Sequence, residues 1–116
     1  MQIEILKSKI HRATVTEANL DYIGSISIDE HLMRAAQICE FEKVHVLNIT
    51  NGQRLITYAI KAPANSGEIC INGAAAHLVN KGDLVIIVAY GVINIKDKQA
   101  ISPNIVHVNA NNEITD

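Results

Sequence analysis

Five histidines, His11, His31, His45, His77 and His107, are the residues with the broadest chemical range in the chain. They are spread evenly, and no pair has the H-x-x-x-H or H-x-H spacing that would set two imidazoles on one metal, so no metal site is expected. Cys39 and Cys70 lack C-x-x-C spacing and are expected to be free, buried thiols. No G-x-G-x-x-G, Walker loop or G-x-S-x-G elbow occurs, so nucleotide binding and serine hydrolysis have no motif behind them. What remains is an interruption. In DYIGSISI, residues 21–28, Ile23, Ile26 and Ile28 alternate as in a half-buried strand, yet Gly24-Ser25 breaks the pattern. Glycine weakens a strand interior through backbone entropy and packs nothing, so the pair calls for a reason. The plain one is a bulge followed by an ordinary strand serine. SKIHR, NGQRLITYAI and NGAAAH are likewise polar where the pattern asks for apolar residues.

The elements that must carry these segments are mostly strands. The chain has 19 Ile and 9 Val in 116 residues, with one Phe and no Trp, which favours a single compact β-rich domain around an aliphatic core. Strands are predicted over 2–7, 12–17, 22–28, 43–49, 54–60, 68–71, 84–90 and 104–108, some of them weak and 84–90 from a continuous apolar run that suits a buried strand, and Asn51-Gly52 reads as a hairpin turn. Asp29 is placed to cap a short helix, EHLMRAAQI, and a second helical stretch follows Asn72-Gly73. A small closed barrel with helical inserts fits, because closure removes sheet edges. The polar tail NANNEITD is expected to fray.

A net charge of −2 without basic runs gives no pull toward nucleic acid or anionic lipid. LVIIVAY, the longest apolar run, is far too short to span a bilayer, and the mixed-charge MQIEILKSKIHR is unlike a signal peptide. A cytoplasmic protein is expected.

Three segments in order, KIHRATVTEANLDYIGSISID (9–29), NITNGQRLITYAI (48–60) and INGAAAH (71–77), resemble the aspartate 1-decarboxylase family, pyruvoyl enzymes that make β-alanine for pantothenate and hence coenzyme A. The resemblance runs from Ile5 to about Val108, and departs where Leu47 replaces a bulky aromatic and GVINIKDKQA (91–100) replaces an acidic turn. It implies a double-psi β-barrel and a homotetramer with sites between subunits. It also implies autocatalytic cleavage between Gly24 and Ser25, giving residues 1–24 and 25–116 and a pyruvoyl group made from Ser25, with neither metal nor pyridoxal phosphate. L-Aspartate would then be held as a Schiff base and lose its α-carboxylate.

By the same resemblance Thr57 stabilises the oxyanion of cleavage and contacts substrate, Tyr58 donates the proton, and Gly73, Ala74 and Ala75 contact substrate. Arg54 suits a substrate carboxylate, since guanidinium offers two parallel hydrogen bonds. Arg54 and Tyr58 are four apart and share a strand face, whereas Thr57 falls on the other. Either a bulge re-aims Thr57, or Thr57 and Tyr58 serve different pockets. Asn72 could tie the Gly73–Ala75 loop to the pyruvoyl region, Lys9 could set a positive charge near a carboxyl, and His11 and Tyr22 support the site. A solvated basic strand, a half-buried tyrosine and an Ala-rich turn are the plain alternatives. Two competing readings of the whole chain are a non-enzymatic barrel that binds a ligand, and a proenzyme that needs a maturation partner.

Overall fold

The computed structural model describes residues 1–22 and 24–115, so Ile23, expected in the strand over 22–28, and Asp116, the end of the tail expected to fray, lie outside the described residues. The strands are β1 (Gln2–Thr14), β2 (Glu17–Asn19), β3 (Ser25–Asp29), β4 (Lys43–Asn48), β5 (Arg54–Ala62), β6 (Ile69–Asn72), β7 (Leu84–Asn94) and β8 (Asn104–His107). One α-helix, α1 (Glu30–Ala36), and two 3₁₀ turns, Gly73–His77 and Ile95–Ala100, complete the elements.

The strands form a single sheet in the order β2-β6-β3-β5-β4-β7-β1-β8. Connectivity forces it to curl. β2 lies at one edge and β1 next to the other, six strand spacings away, which on a flat sheet is about 29 Å. Yet only Val15 and Thr16 join them, a link that reaches about 11 Å at most. Val15 N–H donates to Asp83 O at 2.9 Å and Thr16 N–H to Ile69 O at 2.8 Å, fastening the joint to both sides. The mixed order, with β1–β8, β2–β6 and β3–β5 parallel and the other pairs antiparallel, is consistent with a double-psi β-barrel. Its interior is aliphatic as the composition implied, with Ile10, Ile26, Ile28, Ile69, Ile71 and Ile87 fully buried.

The expected strands over 2–7 and 12–17 are largely one strand, β1, whose pairing with β7 slips between Leu6 and Ser8 and again between Ile10 and Ala13. Arg12 takes a left-handed φ of 67°, so a bulge absorbs what read as a break. Gly24-Ser25 is not in mid-strand: Gly24 lies in a bend and Ser25 is the first residue of β3. Asp29 caps α1 as expected, accepting from His31 N–H at 2.8 Å, and its carboxylate also accepts from Asn65 and Gly67 N–H at 2.9 Å each. Cys39 is exposed rather than buried, since α1 stops at Ala36 and Gln37 turns the chain out at a φ of 57°.

The tail is tied down. Asn112 is buried, and its side chain accepts from Thr14 N–H at 2.7 Å and donates to Thr14 O and Gly67 O at 2.8 Å each. Asn109 N–H to Glu113 O at 2.9 Å and Thr115 N–H to His107 O at 3.0 Å complete the clasp. Its composition hid this because the partners are backbone groups far away in sequence. Asn112→Ala would orphan an N–H and two carbonyls, and is expected to lower the unfolding free energy by about 1–3 kcal/mol in urea titration.

Candidate active site

β3 and β6 run antiparallel with Ser25 opposite Asn72 and Ser27 opposite Cys70. Residues paired this way share a sheet face, so four polar side chains converge on one side while Ile26, Ile28, Ile69 and Ile71 fill the core on the other. Asn72 Nδ2 donates to Ser25 Oγ at 3.1 Å and to Ser27 Oγ at 3.2 Å, and Cys70 Sγ donates to Asn72 Oδ1 at 3.1 Å. All four residues are buried. Burial, then the carboxylates of Glu17 and Glu68, push the Cys70 thiol pKa up, so it stays a protonated donor at neutral pH.

Asn72 occupies the N-cap position of the turn Gly73–His77 but makes no capping bond there, because its amide is turned toward the serines. The turn is 3₁₀ and only five residues long, and Ala75 packs partly against the core while Ala74 is exposed. Gly73 does the closest packing. At a φ of +70°, its backbone lies so near the Gly24 segment that a Cβ would sit 2.6 Å from Gly24 Cα, 2.7 Å from Gly24 N and 3.0 Å from Tyr22 O. At Gly24 itself a Cβ would meet only Asn72 O, at 3.9 Å, among the described residues. Of these two glycines, the packing demands Gly73.

β5 lies on the other side of β3, in parallel register with Ile26 beside Ala59. The pairing starts at Ile26, and Ser27 beside Ile60 fixes the faces: Ser25, two residues before Ser27, lies on the same sheet face as Tyr58, two residues before Ile60. The register of β5 is unbroken, so no bulge re-aims Thr57: Tyr58 shares the face of Ser25, and Thr57 takes the opposite one, paired with Val44. Arg54 lies on the Tyr58 face about 13 Å along the strand and is exposed. A cleft of about 270 Å³ is bordered by Tyr22, Ser27, Ile60, Cys70 and Asn72, with Glu17 and Glu68 also in its lining. Two larger clefts, one under the tail beside Asp29 and one between Ile5 and Ile101, hold none of the residues expected in the site.

Lys9 and His11 are not brought to this group within the chain. Lys9 pairs with Val88, Val88 with His45, and His45 with Ile56, so three strand spacings, about 14 Å measured along the curved sheet, separate Lys9 from β5. His11 stacks edge-on against His107 at 5.5 Å, and burial, then Lys9, His107 and Arg12, lower its pKa. Ser27 and Cys70 are the polar neighbours that residue-type reasoning passed over. Counting by twos from Ser25 and from Asn72 reaches both.

The motif NITNG also finds a physical purpose. Asn48 Nδ2 donates to Asp83 Oδ2 at 2.8 Å and to Leu78 O at 3.3 Å, and Asn51 Nδ2 donates to Leu78 O at 3.0 Å. The hairpin thereby anchors the exit of the Gly73–His77 turn.

Residues 1–115 match the family described as aspartate decarboxylase. The chain belongs to the aspartate decarboxylase family. Among its relatives, an aspartate 1-decarboxylase of Campylobacter curvus is 60% identical over 98% of this chain and 97% of its own length. That of Campylobacter fetus subsp. fetus is 58% identical over all of both chains, and that of Caldicellulosiruptor saccharolyticus 60% identical over 98% of this chain and 89% of its own. Membership of this decarboxylase family decides for an enzyme over a ligand-binding barrel. Among the described residues of this decarboxylase, no group of three or more His, Cys, Asp or Glu is placed to hold a metal, and no helix is long and apolar enough to cross a membrane.

Proposed function

We propose that this chain decarboxylates L-aspartate to β-alanine and carbon dioxide, for pantothenate synthesis, after splitting its own backbone between Gly24 and Ser25. The observation that carries the reading is the buried Ser25 hydroxyl, held by Asn72 at the head of β3, with the Gly73 backbone pressed on Gly24.

In the first step Ser25 Oγ attacks the Gly24 carbonyl carbon. A C–O bond forms, the C–N bond breaks, and the hydroxyl proton ends on the Ser25 nitrogen. The ester then eliminates: Ser25 Cα loses a proton, the Cβ–O bond breaks, and Gly24 leaves as a carboxylate. Water converts the dehydroalanine left at position 25 to a pyruvoyl group and ammonia. Thr57 serves as the oxyanion donor, supported by its place two residues before Ala59, the partner of Ile26, on the stretch of β5 that runs back toward the Gly24 end of β3; one such donor contributes about 2.7–4 kcal/mol in other enzymes.

The residues present fit a carbonyl group at position 25, because Asn72 turns its N–H groups toward the Ser25 side chain, and the departure of Oγ with Gly24 leaves a donor there for the oxygen that water adds at Cα. Once formed, the pyruvoyl group supplies the electron sink for loss of the α-carboxylate. Tyr58, on the same face, delivers the proton to the product carbon. Arg54 holds a carboxylate, and Ala74 and Ala75 border the substrate with Gly73. Lys9 and His11 enter from a neighbouring subunit of a homotetramer. What supports this is their distance from Ser25 in their own chain and the apolar side chains exposed on the same sheet face, Ile56 and Tyr90. The reading sets the enzyme in the cytoplasm.

Mass spectrometry of the purified protein is expected to show two chains, residues 1–24 and 25–116. Borohydride with aspartate should add substrate to the second alone. An intact 12.7 kDa chain that still decarboxylates aspartate would overturn the proposal.

A further inference from the structure

An asparagine amide is nearly symmetric in shape, and its acceptor and donor ends are told apart only by their neighbours. The Asn72 amide touches Ser25 and Ser27 with one end and Cys70 with the other. Hydroxyls can donate or accept, so the two serines accommodate either orientation. The thiol does not: held protonated by its burial, it is a donor and only a weak acceptor, and it meets Oδ1.

We propose that Cys70 is a positioning residue for backbone splitting, its thiol locking the Asn72 amide so that Nδ2 faces Ser25 Oγ. The inference rests on the self-splitting reading above and adds a residue to it. With Nδ2 donating to Oγ, the Ser25 O–H bond points away from the amide, and its proton can depart as the C–O bond forms. With the amide reversed, that proton would be held on Asn72 Oδ1, and attack on Gly24 would have to break this hydrogen bond first. Ser27, opposite Cys70, accepts from the same NH₂ group and keeps both its protons engaged.

The test compares wild type with Cys70→Val, Cys70→Ala and Cys70→Ser, each made by cell-free translation so that the starting chain is intact. Intact-mass measurements over time give the splitting rate, and thermal melting reports folding. Valine keeps the shape and removes the donor, and should slow splitting about tenfold, the effect of losing one well-placed hydrogen bond. Alanine should do the same, and serves if valine does not fold. Serine restores a donor, and should split at a rate nearer wild type than valine. A cavity or packing role would not be rescued by the smaller, more polar serine.

Valine and alanine variants that split within about threefold of wild type would overturn the inference, as would a serine variant as slow as valine. A wild-type chain that never splits fails differently: it removes the self-splitting reading and this inference with it.

Discussion

Ser25→Ala is expected to yield one intact chain with a wild-type fold and aspartate decarboxylation reduced by at least about a thousandfold, because the proposed electron sink forms at Ser25 only after that hydroxyl attacks Gly24, and alanine has nothing to attack with. The fold should survive. Ser25 is buried at the start of β3, its backbone pairing with Asn72 is independent of the side chain, and Ser27 continues to accept from Asn72 Nδ2. Intact mass, melting temperature and β-alanine release from the same preparation separate the two effects. Wild-type turnover in an unsplit Ser25→Ala chain would remove Ser25 from the chemistry. Ser25→Cys sharpens the comparison: a thiol can still attack Gly24, so partial splitting is expected where alanine shows none.

What the sequence makes legible is what depends on neighbours along the chain. Alternation places β4 and β5, an unbroken apolar run places most of β7, an Asp before a helical pattern marks the cap of α1, and Asn51-Gly52 turns β4 into β5, with Gly52 at a φ of +78°. What stays hidden depends on groups far apart in sequence. β1 reads as two strands because two slips in register, at Leu6/Ser8 and at Ile10/Ala13, shift the alternation around residues 8–11 without ending the pairing with β7. The tail reads as loose because the bonds that order it run from one Asn side chain to Thr14 and Gly67. The site divides along the same line. Resemblance to a family singled out Ser25 and Asn72, but their hydrogen bond, the register that puts Tyr58 on the face of Ser25, and the Cys70 contact come only from strand pairing. Even the odd glycine was half legible. Gly24 drew attention as a break in a strand, while the packing requirement sits on Gly73, in a motif that reads equally well as an ordinary turn.

Gly73→Ala is therefore the substitution from which a structural contact should be felt most strongly in the chemistry. Two costs arise together. The left-handed conformation at φ +70° penalises any residue with a Cβ by about 1–2 kcal/mol. The new methyl would also lie 2.6 Å from Gly24 Cα and 2.7 Å from Gly24 N, both backbone atoms that no side-chain rotation can move aside. Ordinary contact requires the Gly24 segment to retreat by about 1 Å, and a displacement of that size between reacting atoms costs about a hundredfold in rate. Splitting, followed by intact mass, should slow by at least that factor, and the melting temperature should fall. Gly52→Ala is the control, for it has the same kind of φ, +78°, with nothing within 4 Å of its Cβ. It should lose stability by a similar left-handed penalty and split at the wild-type rate. Gly24→Ala makes the complementary comparison, since its Cβ has room, 3.9 Å from Asn72 O. If the Gly73 and Gly52 variants split alike, backbone strain rather than contact with Gly24 explains the glycine, and Gly73 has no part in holding the bond that breaks.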